Sequence, residues 1–275
     1  MLEEIFQKLV NEKREKGAPD FLIINFLKEY LQYPVLNFIY KGNDCRDFIF
    51  MGGSCLRICH GLPRISEDLD FDLGQENFKN LNLKKLAEKI TKHFQNQYSL
   101  QIKTREQGGK RLYLKFPILH QLGLNFGEGS NFLYVKIEIS PKQFKNSKAE
   151  IQAISGYGYN FIVKKYSLQE MMAGKIIAIF TREWFKGSKN EVDIKGRDFY
   201  DLFWYFQREV SPDFQIINKK LGIKNEKELK NELKKRIEAS VTPLKLKRDL
   251  KNFLPDQKFA GDFCDNYKEI MAKYL

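Results

Sequence analysis

Phe48-Ile49-Phe50-Met51-Gly52-Gly53-Ser54, followed a short way on by Asp68-Leu69-Asp70-Phe71-Asp72-Leu73, decides how this chain folds. The first run is apolar, rich in strand formers, and stops at two glycines. It reads as a strand, a glycine turn and then a brief helix. The second run alternates polar and apolar residues strictly. Successive side chains of a strand point to opposite faces, so Asp68, Asp70 and Asp72 share one face while Leu69, Phe71 and Leu73 share the other. The apolar face belongs against a core, which leaves the carboxylates on the opposite side.

Upstream, the first forty residues read as two helices separated at Gly17-Ala18-Pro19-Asp20. Asp20 is positioned to cap the apolar-periodic stretch 21–40, and Pro34 is expected to kink or divide it. Downstream, a helix is predicted over 76–97, with strands near 100–105, 111–116 and 132–140 and a glycine-rich loop at 123–129. In the last strand Leu133, Val135, Ile137 and Ile139 point one way and Tyr134, Lys136 and Glu138 the other, so Glu138 lies on a polar face. From Ser167 the pattern turns helical. Ser167 can cap a helix over 168–181 with Glu170 completing a capping box, and Gly196 precedes a second helix over 197–208. The expectation is a mixed α and β region over 1–165 followed by an all-helical region over 166–275, an α+β chain with no internal repeat and no low-complexity linker.

The length of 275 residues and a hydrophobic content of 43% are those of a globular protein with a sizeable core. Lys and Arg number 47 against 35 Asp and Glu, a formal +12 that favours polyanionic partners. Much of that excess lies in 219–251, where twelve Lys or Arg face five Asp or Glu in what reads as a basic helical tail. Such a tail can grip RNA phosphates, or it can be a solvated helix of mixed charge, since Glu226, Glu228, Glu232 and Glu238 are interspersed. The start of the sequence carries Glu3 and Glu4 and no long apolar core, and no apolar run approaches the roughly 20 residues of a membrane span, so a cytoplasmic protein without a membrane partner is expected. Cys45, Cys55, Cys59 and Cys264 lack paired metal spacing and read as core thiols.

Asp68 and Asp70, two apart on a strand, can bring their carboxylates to one hard cation, the arrangement that Mg2+ chemistry on phosphates needs. By itself such a pair fits a solvated edge strand as well. A Gly52-Gly53-Ser54 turn exposes backbone N–H groups at a helix N-terminus, where a polyphosphate can sit, although an ordinary strand-to-helix turn has the same composition. Glu138 is the third carboxylate that a neighbouring strand could bring to the same metals; its ordinary reading is an ion-pair partner of Lys136 or Arg111. In the helical region Lys175 and Arg182 stand two turns apart and can reach one anion, and Asp198 with Asp201 form an i, i+3 face.

Taken in order, Phe50-Met51-Gly52-Gly53-Ser54-Cys55-Leu56-Arg57 and Arg64-Ile65-Ser66-Glu67-Asp68-Leu69-Asp70-Phe71 resemble the signature of AbiEii-type nucleotidyltransferase toxins, within the polymerase-β-like superfamily and similar to the MenT toxins. Tyr166-Ser167-Leu168-Gln169-Glu170-Met171-Met172-Ala173-Gly174-Lys175, then Arg182, then Gly196-Arg197-Asp198-Phe199-Tyr200-Asp201-Leu202 resemble that family's remaining motifs, so the likeness spans roughly residues 20–205. It implies a polymerase-β-like nucleotidyltransferase domain with a mixed sheet and flanking helices over 1–165, and a helical domain over 166–275 that contributes Lys175 and Asp198 to the site.

By that resemblance Asp68 and Asp70 hold metal, with Glu138 as a third ligand. Gly52, Gly53 and Ser54 hold the triphosphate, Lys175 the nucleotide phosphates, and Asp198 acts as a metal-linked or general-base carboxylate. Ser66 matches a position near the nucleotide, and Arg57 and Arg182 complete the set of nucleotide-binding cations. Glu138 stands where polymerase-like sites usually show Asp, and after residue 205 no motif is matched.

The implied reaction moves a nucleoside monophosphate from an NTP to a hydroxyl, with pyrophosphate leaving, and uses two Mg2+ ions or Mn2+ in their place. The implied acceptor is RNA, in particular the 3′ end of tRNA, and the implied setting is a toxin with a cognate antitoxin protein. Transfer to a protein or small-molecule hydroxyl, and a nucleic-acid-binding module without turnover, are the alternatives.

Overall fold

A computed structural model describes residues 2–42, 45–124, 130–142, 144, 147, 149–185 and 192–275 of the chain, which divides into two units, Met1–Tyr166 and Ser167–Leu275. Helices α1 (Leu2–Glu15) and α2 (Asp20–Lys41) lead the first unit. Then come β1 (Ile49–Met51), α3 (Gly52–His60), β2 (Asp68–Leu73), α4 (Gln75–Lys79), α5 (Leu83–Tyr98), β3 (Lys103–Gln107), β4 (Arg111–Pro117), β5 (Phe132–Pro141), β6 (Glu150–Gly156) and β7 (Tyr159–Lys165).

These strands form one mixed sheet in the order β3-β4-β5-β2-β1-β7-β6. β2 runs parallel to β5 and antiparallel to β1, and β1 runs parallel to β7. Within the sheet, α2 packs on β5 and β7 and α5 on β3 and β4. Tyr40 of α2 meets Phe71 with ring centroids 6.4 Å apart, and Phe94 of α5 meets Phe116 at 5.1 Å edge to face. One face of the pleat is therefore core: Leu69, Phe71, Leu112, Leu114, Phe116, Leu133, Val135, Ile137 and Ile139 are all buried. Each such side chain contributes on the order of 1.5–3 kcal/mol by leaving water. The opposite face carries Asp68, Asp70, Lys136 and Glu138, all partly exposed.

The second unit consists, among the described residues, of helices α6 (Leu168–Thr181), α7 (Gly196–Gln207), α8 (Phe214–Leu221), α9 (Glu226–Ser240), α10 (Pro243–Leu250), α11 (Gln257–Asp265) and α12 (Tyr267–Ala272). α6 opens with the expected capping box: the Ser167 hydroxyl accepts from the Glu170 N–H at 3.2 Å, and the Glu170 carboxylate accepts from the Ser167 N–H at 3.0 Å. At Gly196, the first residue of α7 rather than the one before it, an added Cβ would stand 3.3 Å from both the Asp249 Cβ and the Leu246 carbonyl oxygen of α10. The glycine lets these two helices approach, and the Asp249 carboxylate accepts from the Arg197 N–H at 3.0 Å.

Several local expectations are corrected. Asp20 does not cap α2; Pro19 holds the cap position with no side-chain acceptor, and Asp20 lies in the first turn, where the helix dipole favours a carboxylate. α2 runs unbroken through Pro34, because nearly every residue around it is buried and packing outweighs one lost backbone bond. The helix expected over 76–97 is two, α4 and α5: the first stops at its C-cap Asn80, and Asn82 caps the next by accepting from the Lys85 N–H at 2.8 Å. β3 starts at Lys103 rather than near residue 100 because Ser99 closes α5 in the left-handed conformation. The basic tail is not one helix: Gly222 terminates α8, Asn225 caps α9, and Thr242-Pro243 starts α10. Of the glycine-rich loop, 125–129 lies outside the described residues. Among the described residues, no helix is long and apolar enough to cross a membrane.

Candidate active site

β1 and β2 bring the two opening motifs together, because their antiparallel register sets Met51 opposite Asp70. The next residue, Gly52, has φ +75°, and a Cβ there would run into the Asp70 carboxylate and stand 3.1 Å from the Asp70 Cβ and Cγ. Glycine is required for both reasons, conformation and space. At Gly53 a Cβ would lie 2.7 Å from Arg64 Nη2 and from Ser66 Oγ, so the backbone of the first turn of α3 is wedged between Asp70 on one side and Arg64 and Ser66 on the other. Ser66 is therefore brought to the turn.

Ser54 is fully buried, and its hydroxyl donates to the Asp68 carbonyl oxygen. Its side chain ties α3 to β2, which leaves the backbone N–H groups of this first turn, the donors that no helix satisfies internally, as what α3 can offer an anion.

The parallel pairing of β2 and β5 sets Lys136 beside Asp68 and Glu138 beside Asp70. Lys136 Nζ lies 2.9 Å from Asp68 Oδ2 and 3.4 Å from Glu138 Oε2. Burial would pull the Lys136 ammonium down, but Asp68, with Asp70 and Glu138 behind it, more than compensates and raises it. Glu138 receives Arg111 in a fork, Nε at 3.0 Å and Nη2 at 3.1 Å. Burial pushes the Glu138 carboxyl up, yet Arg111 and Lys136 outweigh it and leave it below the usual carboxylate value.

Here the third carboxylate is thus both a neighbour of Asp70 and the ion-pair partner of Arg111 and Lys136. No group of three or more His, Cys, Asp or Glu side chains is gathered as a metal cage among the described residues. Asp68 and Asp70 are hard oxygen donors on one partly exposed strand face, a donor set that fits a cation of the Mg2+ kind. Glu138 joins them only by releasing its cations.

In the second unit, Lys175 of α6 sits between two carboxylates of α7, with Nζ 2.7 Å from Asp198 and 2.8 Å from Asp201. Arg182 reaches the other oxygen of Asp198. Asp198 and Asp201 are buried, 2% and 0% exposed, whereas Arg182 keeps about a third of its side chain in solvent. Burial would raise the Asp198 carboxyl, but Lys175, Arg182 and Lys195 together hold it at about 2. A carboxylate held so low is a weak base and a strong anchor. Lys195 is its opposite, pulled down to about 8 by burial and then by Arg197, with Asp198 opposing.

A model described as nucleotidyl transferase AbiEii toxin, of type IV toxin–antitoxin systems, matches residues 36–271. The chain belongs to the AbiEii nucleotidyltransferase toxin family. It is accordingly an NTP-using nucleotidyltransferase, and membership implies a cognate antitoxin. The match runs well past residue 205, so the family's likeness extends through the helices in which no motif was legible.

Among solved structures, the fold is similar to MenT4, a nucleotidyltransferase toxin from Mycobacterium tuberculosis H37Rv, at 14% identity with a TM-score of 0.52 over 98% of this chain and 89% of that one. JHP933 from Helicobacter pylori matches at 17% identity and a TM-score of 0.47 over 89% of this chain and 92% of that one. No curated protein sequence matches the chain.

In this AbiEii family member, Arg57 is engaged elsewhere than at the turn. Its guanidinium clasps Glu29 of α2, with Nε at 2.9 Å and Nη2 at 3.2 Å, and donates to the carbonyls of Leu62 and Pro63 at 3.0 Å each. The cation that touches the turn is Arg64, which is buried and donates to the Ile65 carbonyl at 3.0 Å. Nothing in spacing distinguishes the two arginines; only the fold of the 61–67 segment does.

Asp72, the third aspartate of the strand, is wholly buried and accepts from the Tyr166 hydroxyl at 2.7 Å, so it stands apart from the exposed pair. Lys136 and Lys195 were not singled out from sequence as site residues. Lys136 was legible as a member of the Glu138 face, whereas Lys195 carried no signal beyond standing before Gly196.

Proposed function

We propose that this nucleotidyltransferase toxin moves NMP from an NTP onto the hydroxyl of an RNA acceptor, the tRNA 3′ end in particular, in a Mg2+-dependent reaction in the cytoplasm that arrests growth until its antitoxin intervenes. The observation that carries the reading is the seating of the Asp70 carboxylate against Gly52 at the first turn of α3, with Asp68 two residues back on the same strand face. That places carboxylate donors for a cation beside backbone donors for a phosphate.

Asp68 and Asp70 would hold Mg2+ or Mn2+, which when bound neutralises phosphate charge and aligns the attacking and leaving oxygens. The N–H groups of Gly53 and Ser54 bind the phosphates, and Arg64 and Ser66 fix the backbone that presents them. Glu138, beside Asp70, is the carboxylate placed to take the acceptor's proton once Arg111 and Lys136 release it. Within the second unit Lys175 and Arg182, held by Asp198, are the cations suited to phosphate; support for their role comes from the family motif and from the anchoring carboxylates. Asp198 is then the residue that orients the cations rather than the base.

The test is incubation with Mg2+, total tRNA and each labelled NTP in turn, beside Asp68→Ala and an EDTA control. Label on tRNA that disappears in both controls is the expected result. Label on protein instead would move the acceptor to a protein hydroxyl, and no label with any NTP would sink the RNA reading.

A further inference from the structure

The polar face of the sheet does not stop at the carboxylates. Cross-strand register carries it outward in rows: Asp68 stands beside Lys136, Lys136 beside Tyr113, and Tyr113 beside Arg105. One step along, Tyr134 stands beside Lys115 and Lys115 beside Lys103. Lys115 Nζ lies 5.6 Å from the Tyr134 ring centre and Lys103 Nζ 5.4 Å from that of Phe132, so cations and aromatic rings alternate and touch. Among the described residues, Lys103, Arg105 and Lys115 make no ion pair with a carboxylate, although Glu67 and Glu138 pair with Lys28 and Arg111 close by. The face is also concave. A cleft of about 490 Å³ opens there, lined by Asp68, Arg105, Tyr113, Lys115, Tyr134 and Lys136.

Unpaired cations set at strand spacing attract a phosphate backbone, and exposed rings between them stack on unpaired bases whatever their sequence. The glycine turn lies on the β1 side of Asp68 and this cleft on the β5 side. We infer that the β3-β4-β5 face is where the single-stranded end of the RNA acceptor lies, with phosphates on Lys103, Arg105 and Lys115 and bases on Tyr113 and Tyr134, entering from the side opposite the NTP. The inference rests on the proposed RNA transfer and assigns the acceptor to the sheet rather than to the basic helices of 219–251.

The experiment measures binding of a short fluorescein-labelled single-stranded RNA by anisotropy across a salt series, with label transfer followed in parallel. Replacing Lys103, Arg105 and Lys115 by Gln together should weaken binding and flatten the slope of log Kd against log salt by about 2, at about 0.7 per phosphate contact on a single strand. Tyr134→Ala should weaken it by between about five- and a hundredfold, the range for one stacked base, and Tyr113→Ala likewise, with Tyr113→Phe restoring affinity. Lys227→Gln/Lys234→Gln/Lys235→Gln on the exposed side of α9 should leave affinity and slope as they were.

Sheet-face variants that melt like wild type yet bind with unchanged slope would overturn the inference, as would loss of binding in the α9 variant instead. Competition by polyglutamate equal to that by RNA would also overturn it, since charge alone would then be recognised. Binding lost on the sheet-face variants with no label transfer by wild type would refute the transfer reading and leave the surface standing. Transfer unaffected by these variants would do the reverse.

Discussion

Gly52→Ala should separate backbone strain from displacement of the Asp70 carboxylate. Gly52 sits at φ +75°, where an L side chain costs about 1–2 kcal/mol. Its new methyl would also collide with the Asp70 carboxylate, whose Cγ lies only 3.1 Å from the added carbon, so Asp70 must swing aside by on the order of an ångström. A displacement of that size at a reacting centre costs roughly 10²-fold in rate.

Gly61 supplies the matching control. It caps the other end of the same helix at φ +71°, and a Cβ there meets nothing within 4 Å. Both alanine variants should lose about 1–2 kcal/mol in urea denaturation. Only Gly52→Ala should lose the further hundredfold in single-turnover nucleotidyl transfer. Equal transfer rates in the two variants would refute the claim that Asp70 is held in place against Gly52.

Arg57→Met should lower stability by roughly 3 kcal/mol while leaving the KM for NTP unchanged, because it takes the cation from the 6%-exposed Glu29 and leaves it the Tyr157 hydroxyl; Glu29→Gln/Arg57→Met should recover part of the loss, and a raised KM with stability intact would return Arg57 to the nucleotide site. For Lys195 the unfolded chain keeps its proton to about 10.5 and the folded chain only to about 8, so stability rises with pH across that window and the full penalty, on the order of 3 kcal/mol, applies below pH 8. Lys195→Met should therefore melt above wild type at pH 7, with the gap closing towards pH 10.5; a gap independent of pH would show that the lysine is not held as described. Asp198→Asn should reduce transfer more than it reduces RNA binding, since it frees Arg182 and leaves Lys175 tied to Asp201 alone, and equal losses in the two assays would count against that role.

The alternation in 68–73 and the apolar run before Gly52 were enough to place Asp68 and Asp70 on one strand face and to predict a strand, turn and helix. These are local properties: pleat period, glycine conformation and side-chain polarity act within a few residues. The capping box at Ser167 was legible for the same reason, as was the polar face of Glu138. Where local signals competed, the reading failed. Pro34 is overridden by burial along α2, and Asn82 divides a stretch whose hydrophobic period alone runs on.

Which residues meet across the chain was set by register and packing, and no spacing encodes those. Arg57 and Arg64 carry the same charge within one short segment, yet one clasps Glu29 and the other abuts Gly53. Asp72 shares its strand face with Asp68 and Asp70, yet only it lies under Tyr166. The rows that lead from Asp68 through Lys136 and Tyr113 to Arg105 exist because β5 runs parallel to β2 and antiparallel to β4. A one-residue slip in either pairing would move that surface into the core, so the chain's own residues determined the chemistry available and the tertiary pairing determined where it is brought together.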